Sequence, residues 1–342
     1  MDRRTDSPAW LATLLAPVAV EGFLSDYWLK RHLFCRGPAD RFSPLLSWDT
    51  LNTTLAHHWR ETFRFRLALQ GRDLEPASYA DLDGQTPRIR AKDLTDHLRR
   101  GATLSFDGID ELHEPLTRLA ESFESFFRGG TQINIYASWR ALHGLDLHQD
   151  DEEIFILQMD GRKRWLLYGF SIDGVDRSGL QDSSVPPQGA ELDQVLQPGD
   201  LLYIPRGCYH VAVPMNEPTL HLTLGVKNPR GETGSNLAPR PSFSLPWSAT
   251  PELLPPGEDF QVGLSPRVRL CAESAAGFCE IHAGSRTLRF PRIMESVVAL
   301  LSERSPRTLR ELVDGNGGGL DADAARLLVG LLVKEGLVEI RP

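Results

Sequence analysis

The chain has 342 residues, 41% of them hydrophobic and 24% charged, which is enough for one large or two smaller domains with a buried core. Its formal net charge of −9 disfavours a protein that coats nucleic acid by bulk charge but permits a basic peptide partner. No stretch approaches the roughly 18 consecutive apolar residues of a membrane span, so a membrane partner is not expected.

Residues 8–128 are predicted to be mostly helical with short strands. The basic and then apolar residues 2–16 loosely resemble a signal peptide, but Pro17 interrupts the apolar run and no small-residue cleavage site follows. We therefore expect an amphipathic helix over residues 10–24. Further helices are predicted, the last of them from apolar residues spaced three and four apart, at residues 48–57, 91–100 and 114–127.

Residues 130–228 change to short β-type runs separated by glycine, proline and aspartate turns. Such runs are typical of a jelly-roll barrel, the double-stranded β-helix of cupins. The predicted fold is mainly β with α, with helical additions before the barrel, in a domain over residues 1–228 whose barrel core spans 130–228. Its strands are predicted at residues 133–136, 154–158, 164–168, 201–204 and 220–226.

The last third of the chain is predicted to hold a linker and a small second domain. Residues 229–266 are rich in proline, serine and glycine and indicate a linker or a surface loop. Residues 267–342 have the order of a winged helix, with Asp321 as a helix N-cap and Gly336 just past the helix end. The predicted strands are 267–271, 278–281 and 336–340, and the predicted helices are 293–303, 308–314 and 321–335.

His148, Asp150 and His210 form the candidate metal site. His148 and Asp150 are two positions apart, so on a strand they point to the same face and can bind one ion. A turn at residues 198–200 starts the strand that would bring in His210. The alternative is a surface His–Asp pair and an unrelated buried histidine. Imidazole and carboxylate ligands without thiolate favour iron over zinc, with positions left for a co-substrate and dioxygen.

Lys163 is the candidate anchor for that co-substrate. Lys163 and Trp165 share one face of a predicted strand, while Arg162 and Arg164 share the other, so one cation can point inward. An inward lysine is costly unless a carboxylate pairs with it, and the distal carboxylate of 2-oxoglutarate would supply that charge. The alternative is a basic hairpin tip with all three cations in solvent.

Three further polar residues can reach the barrel interior from neighbouring strands. Asn134 and Tyr136 share a face two positions apart, and Thr223 shares a face with His221. Each can offer hydrogen bonds to a ligand. Taken singly, each can equally be a core polar group whose hydrogen bonds are satisfied within the protein.

Cysteine usage indicates the compartment. The chain has 4 cysteines with no Cys-x-x-Cys spacing, which is sparse for this length. Reduced thiols and a cytoplasmic location are therefore expected.

Taken in order, these motifs resemble the JmjC-type cupins (cupin-4) of the ribosomal oxygenase group. The residues that carry the resemblance are 23–28, 33–37, 134–136, 148–150, 155–158, 161–165, 199–205 and His210. The resemblance implies Fe(II)- and 2-oxoglutarate-dependent hydroxylation of a protein side chain, on a ribosomal protein in the better-known members. It also implies residue roles. Iron would be bound by His148, Asp150 and His210, the distal carboxylate by Lys163, and the co-substrate pocket would be lined by Asn134, Tyr136 and Thr223.

The chain departs from this family at two places. The family usually has a helical dimerisation region between barrel and winged helix, whereas residues 229–266 are short and proline-rich, so homodimerisation stays open. Residues 138–143 replace a Pro/Gly-rich stretch before the metal motif. Substrate access and the specific target are therefore not carried over from the family.

Two other functions fit parts of the same sequence. A hydroxylase of a small molecule or peptide natural product would keep the iron and 2-oxoglutarate residues and differ only at the cavity mouth. A winged-helix DNA-binding regulator with a ligand-sensing cupin is the non-enzymatic alternative. Residues 286–342 hold nine Lys/Arg against eight Asp/Glu, a net of +1 (9 − 8), which is a poor footprint for duplex binding. A nucleic-acid partner is therefore not expected.

Overall fold

The computed structural model describes residues 9–82, 87–127, 129–170, 189–227, 245–265, 271–275, 278–283, 286–302, 306–315 and 320–341. The chain divides into two compact units, Met1–Ser235 and Asn236–Pro342.

The helices of the first unit follow the predicted pattern except at the N-terminus. The single helix predicted over residues 10–24 is wrong, because two helices occupy this stretch and Pro17 lies between them. Proline has no backbone N–H to donate within a helix and its ring clashes with the preceding turn. The helices are α1 (Ala9–Leu15), α2 (Val20–Asp26), α3 (Trp48–His57), α4 (Ala91–Arg99) and α5 (Glu114–Phe127).

The strands of the first unit include all five that were predicted. They are β1 (Leu33–Cys35), β2 (Phe65–Leu69), β3 (Arg72–Asp73), β4 (Ala80–Asp81), β5 (Arg88–Ile89), β6 (Thr103–Phe106), β7 (Gly130–Ser138), β8 (Glu153–Asp160), β9 (Lys163–Phe170), β10 (Leu192–Leu196), β11 (Leu201–Ile204), β12 (Cys208–Pro214) and β13 (Thr219–Lys227).

These strands form a large antiparallel sheet accompanied by smaller ones. The large sheet has the order β1-β11-β8-β13-β7-β6-β2-β3, and a three-stranded sheet has the order β10-β9-β12. Strands β8 and β11 alternate with β9 and β12 between the two sheets along the chain, which is the jelly-roll arrangement expected of a cupin. The strands β6, β2 and β3 extend the large sheet beyond β7.

Side chains alternate between the two faces of the large sheet. One face packs against the N-terminal helices, and the other faces the three-stranded sheet and the cavity. On β8, Phe155 and Leu157 pack into the cluster that contains the N-terminal helices, whereas Ile154 and Ile156 pack against the three-stranded sheet. Strand β8 is therefore buried on both faces, which explains its continuous apolar sequence. On β13 the leucines face the helices, and His221 and Thr223 face the opposite way.

Within the described residues, no single helix is long and apolar enough to cross a membrane. The pair α1 and α2 reaches that length and composition together, with a bend of 67° between the two helices.

The second unit has its own apolar core. Its strands and helices are β14 (Gln261–Leu264), β15 (Cys271–Ala275), β16 (Phe278–Ala283), β17 (Arg286–Pro291), α6 (Glu295–Ser302), β18 (Arg307–Thr308), α7 (Leu309–Asp314), α8 (Ala322–Lys334) and β19 (Val338–Arg341). The sheets have the orders β18-β14-β19 and β15-β16-β17. Asp321 caps α8 by accepting a hydrogen bond from Ala324 N at 2.8 Å, and Gly336 has a φ of 69° just past the helix end.

The linker predicted for residues 229–266 lies largely outside the described residues. Its described end differs from the prediction, because residues 261–264 form β14 and pair with β18 and β19. Val262 on this strand is fully buried in the core of the second unit. The predicted strand 267–271 also lies outside the described residues except for Cys271, which begins β15.

A buried tyrosine joins the N-terminal helices to the large sheet. The Tyr203 hydroxyl accepts a hydrogen bond from Leu29 N at 2.9 Å and donates one to the Glu153 carboxylate. Glu153 is 2% exposed, and burial raises the pKa of its carboxyl group. The phenol thus satisfies a buried carboxylate and a part-buried backbone N–H, and a hydrogen bond to a buried group is costlier to lose than one at the surface.

Tyr203→Phe is expected to lower the free energy of unfolding by about 1–3 kcal/mol, because Leu29 N and Glu153 would lose their buried partner. Urea titration measures this difference. Tyr27→Phe is the matched control, since that hydroxyl forms no hydrogen bond with a described residue, and it should change stability by less than about 0.5 kcal/mol. Equal effects of the two substitutions would contradict this account.

Candidate metal centre

A single antiparallel bridge brings the three candidate ligands together. His148 N donates to His210 O at 3.1 Å, and His210 N donates to His148 O at 2.8 Å. Asp150 Oδ2 then lies 3.3 Å from His210 Nε2 and 3.9 Å from His148 Nε2. One ligand atom from each residue lies within 4.8 Å of the others. A single ion can therefore contact all three.

Main-chain carbonyls fix the orientation of both imidazole rings. His148 Nδ1 lies 2.7 Å from Asp146 O, and His210 Nδ1 lies 2.9 Å from Cys208 O. Because a carbonyl only accepts, each Nδ1 carries the proton and donates it. Each Nε2 can then present its lone pair to a metal, which is the usual second-shell arrangement of metal-binding histidines. Cys208 thus serves the site through its carbonyl oxygen, while its side chain is buried among apolar residues.

The charges of the three groups favour a cation between them. Burial disfavours ionisation of Asp150, but hydrogen bonding and attraction from His210, with help from His148, lower the pKa of the carboxyl group. Burial also lowers the pKa of His148, and the neighbouring His210 lowers it further. At His210 burial is outweighed by Asp150, so the pKa of that imidazole is raised. Asp150 is thus a carboxylate, His148 is a neutral imidazole, and His210 sits where a positive charge is stabilised. A divalent cation bound between the three groups would take the place of the proton.

The three groups open into a cavity of about 540 Å³ between the two sheets. His210 is 4% exposed, whereas the side chains of His148 and Asp150 are 34% and 37% exposed, so the open side of the triad faces this cavity. All seven residues singled out from the sequence line it, namely Asn134, Tyr136, His148, Asp150, Lys163, His210 and Thr223.

Lys163 points into the cavity, and its two arginine neighbours point away from it. Lys163 is 5% exposed, while Arg162 pairs with Glu217 at 2.9 Å and Arg164 pairs with Asp193 on the outer face. Among the described residues Lys163 has no carboxylate partner. Burial alone lowers the pKa of its ammonium group to about 7. A buried lysine without a counter-charge is costly, so it indicates a site for an anionic ligand.

Two more polar atoms beside this lysine lack hydrogen-bond partners. Trp165 Nε1 and His221 Nδ1 are both buried and have no hydrogen-bond partner among the described residues. The two rings pack edge to face at 5.5 Å, and His221 stacks on Tyr136 at 5.1 Å. Burial lowers the pKa of His221 well below its usual value, and the charge of Lys163 lowers it further. A polar ligand bound here would satisfy groups that the protein leaves unsatisfied.

Asn134, Tyr136 and Thr223 lie on adjacent strands at the floor of the cavity. Thr223 is paired with Asn134 in register, and His221 is paired with Tyr136. Asn134 Oδ1 already accepts hydrogen bonds from Gly108 N at 3.0 Å and Gln132 Nε2 at 3.1 Å. Its amide nitrogen is the group that remains for a ligand. Tyr136 and Thr223 present hydroxyl groups to the same space.

Sequence reasoning missed Arg66, which also lines the cavity. Arg66 on β2 is in register with Ser105 on β6, and Ser105 is in register with Tyr136 on β7. The three residues therefore lie in one cross-strand row on the cavity face of the sheet. No local motif marks Arg66, because β2 and β7 are far apart in sequence. Only the strand register reveals it.

Comparison with known proteins finds similarity in the part of the chain that holds the site. A family model described as JmjC domain matches residues 110–233. Ribosomal oxygenase 2 of Rattus norvegicus is 28% identical over 222 residues, covering 60% of this chain and 44% of that protein. The bifunctional lysine-specific demethylase and histidyl-hydroxylase NO66 of Dictyostelium discoideum is 27% identical over 232 residues, covering 65% of this chain. The chain spans 44% of the length of each of these two relatives.

The fold is also similar to a solved structure along almost the whole chain. The ribosomal oxygenase YcfD from Escherichia coli, in complex with cobalt and 2-oxoglutarate, has a TM-score of 0.58 and 17% sequence identity. The similarity covers 95% of this chain and 99% of YcfD. At this identity the likeness establishes the fold alone.

Asp150→Asn is expected to weaken binding of Co(II), used as an oxygen-stable substitute for Fe(II), by at least about tenfold, because an amide is a poorer ligand than a carboxylate. Titration followed by the visible absorbance of Co(II) measures the dissociation constant. Asp151→Asn is the matched control, since the Asp151 carboxylate is 69% exposed and pairs with Arg206 instead of facing the triad. Equal losses in the two variants would contradict the assignment of the site.

Proposed function

We propose that this chain, whose residues 110–233 match the JmjC domain, is an Fe(II)- and 2-oxoglutarate-dependent oxygenase that hydroxylates a side chain of a protein or peptide. The observation that carries the proposal is one cavity that holds both a His148–Asp150–His210 triad and a buried Lys163 with no carboxylate partner among the described residues. The triad alone would suit several metals. The lysine adds a requirement for an anionic co-substrate beside the metal.

The donor set fits iron. Two imidazole nitrogens, which are neutral when they ligate a metal, and one carboxylate oxygen, without thiolate, match the 2-His-1-carboxylate triad of non-haem Fe(II) oxygenases. The open side of the triad faces the cavity, so a co-substrate and dioxygen can reach an ion held there. His148, Asp150 and His210 are the residues that would hold it.

The polar groups deeper in the cavity fit 2-oxoglutarate. This dianion needs a cation at a distance from the metal and hydrogen-bond donors along its length. Lys163 supplies the cation, and the unpaired Nε1 of Trp165 and Nδ1 of His221 lie in the same part of the cavity. Asn134, Tyr136 and Thr223 present further hydrogen-bonding groups from β7 and β13.

When bound, iron and 2-oxoglutarate supply the oxidative chemistry, in which dioxygen provides the hydroxyl oxygen and the co-substrate leaves as succinate and carbon dioxide. The protein residues position the reactants and keep water away. Ile154, Ile156 and Trp165 form apolar walls beside the triad, and each is at most 4% exposed. Asp146 O and Cys208 O hold the two imidazole rings in place throughout.

The substrate class rests on the relatives and on the mouth of the cavity. Relatives that match this chain are named ribosomal oxygenase and histidyl-hydroxylase. The lining of the cavity includes the carboxylates of Asp146 and Glu152, the latter paired with Lys227, and the chain carries a net charge of −9. Both favour a basic peptide. Basic ribosomal proteins are therefore the first substrates to test.

The second unit is proposed to be a winged helix. The succession α6, α7 and α8 with the small sheet β18-β14-β19 supports this assignment. A cytoplasmic location is proposed from the cysteine usage. Homodimerisation stays a proposal as well, since the region that would carry it includes residues 228–244, which lie outside the described residues.

The affinity for N-oxalylglycine, a stable analogue of 2-oxoglutarate, should fall with rising pH. Lys163 has a pKa of about 7 in the empty cavity, and an anionic partner raises this pKa because it stabilises the charged form. Binding therefore depends on a proton that the free protein loses above about pH 7, and affinity should fall about tenfold for each further pH unit. Calorimetric titration of the Mn(II)-loaded protein measures this slope.

Lys163→Arg is the matched control for this slope, because a guanidinium stays charged across the whole range. Its affinity should change little over the pH interval in which the wild-type affinity falls. The same slope in both proteins would show that Lys163 is not the group that titrates.

The hydroxylase reaction itself is tested by mass spectrometry of proteins from cells with and without this gene. One basic protein should gain the mass of a single oxygen atom in wild-type cells. Complementation with Asp150→Asn should abolish the gain, while Asp151→Asn should restore it. A metabolite that gains oxygen while no protein changes would replace the protein substrate with a small molecule.

A further inference from the structure

The β2–β3 hairpin contacts the segment that leads into the metal ligands. Its two-residue loop consists of Gln70 and Gly71, with φ values of 51° and 75°. Positive φ at both positions is the backbone of a type I′ turn. Gln70 N donates to His143 O at 2.8 Å, and Gly71 N donates to Gly144 O at 2.9 Å. The tip of the hairpin therefore binds the main chain of residues 143–144.

Two glycines near the same segment leave little room for a Cβ, and at Gly71 the positive φ of 75° adds backbone strain for any other residue. A Cβ on Gly71 would lie 2.0 Å from Asp146 Oδ2, and a Cβ on Gly144 would lie 2.6 Å from Thr103 Cβ and Oγ1. Thr103 is 4% exposed and is held by Ser138 at 2.9 Å, so it cannot move aside freely. Residues 143–144 are thus held between the hairpin tip and β6, and Asp146 follows two residues later.

This contact continues to the metal ligand. Asp146 Oδ1 lies 2.9 Å from His143 Nε2, and Asp146 O accepts the Nδ1–H of His148 at 2.7 Å. That carbonyl is the group that sets the tautomer and the orientation of the His148 ring. A shift of residues 143–146 would move it.

We propose that the β2–β3 hairpin is a positioning element for the metal site, because its tip holds residues 143–146 where the Asp146 carbonyl aligns His148. The inference rests on the proposed function, since it assigns to Gly71 and Gly144 a role in the affinity for the metal. Neither residue contacts the ion. They act through the position of His148.

The test uses Gly71→Ala and Gly144→Ala in the full chain, with Gly189→Ala as the matched control. Gly189 also has a positive φ, 66°, but among the described residues a Cβ there would meet nothing within 4 Å. Co(II) titration and the melting temperature of the metal-free protein are measured for each variant. The dissociation constant for Co(II) should rise by about tenfold or more in both hairpin-contact variants and by less than about twofold in the control. Values within about twofold of wild type in all three variants would overturn the proposal.

Hydrogen exchange on the wild-type protein covers the case in which a variant fails to fold. Co(II) should slow exchange of the Gln70 and Gly71 amides, whose acceptors belong to the ligand-bearing segment, and leave the amides of Ala80–Asp81 on β4 unchanged. Exchange rates of the Gln70 and Gly71 amides that are the same with and without Co(II) would overturn the proposal. If wild type does not bind Co(II) at all, the proposed function fails instead, so the two failures are distinct.

Discussion

The reciprocal main-chain hydrogen bonds between His148 and His210 are the constraint on which the site depends. Strand β12 belongs to the three-stranded sheet, whereas residues 143–152 lead into β8 of the large sheet. The bridge joins the two at one point and places Asp150 beside both imidazoles. Because these bonds use backbone groups, both imidazoles and the carboxylate remain available to a cation. The cavity behind them follows from the separation of the two sheets.

The alternation of side chains along the strands separates the apolar core from the polar lining of the cavity. On β7 and β13 every second residue packs against the helices, and the residues between them face the cavity. On β9, Lys163 also faces the cavity, where its buried charge lies beside the Trp165 ring at 6.0 Å. The cost of burying it is reduced only when an anion is bound, which links the stability of the empty site to its ligand.

Much of the site could be predicted from the sequence because residues two positions apart on a strand point to the same face. His148 and Asp150 are two positions apart, and the alternation Arg162, Lys163, Arg164 is enough to separate one inward cation from two outward ones. The carbonyls of Asp146 and Cys208 were not predictable, because every residue has a carbonyl and only the fold selects two of them. Arg66 and the hairpin tip at Gly71 were missed for a related reason, since they reach the site through strand pairing across a long sequence separation. Pro17 was sufficient to predict the break between α1 and α2, but it was used only to argue against a signal peptide and one helix was predicted instead of two.

The central claim is that one cavity binds a metal through His148, Asp150 and His210 and an anionic co-substrate through Lys163. A crystal structure with Mn(II) and N-oxalylglycine, grown without oxygen, tests both halves at once. We expect an anomalous-difference peak for Mn(II) at about 2.0–2.2 Å from Nε2 of His148, Nε2 of His210 and one carboxylate oxygen of Asp150, as for other divalent metals. It also predicts the distal carboxylate of the analogue within hydrogen-bond distance of Lys163 Nζ. A metal bound elsewhere, or an analogue that leaves Lys163 without an anionic partner, would contradict it.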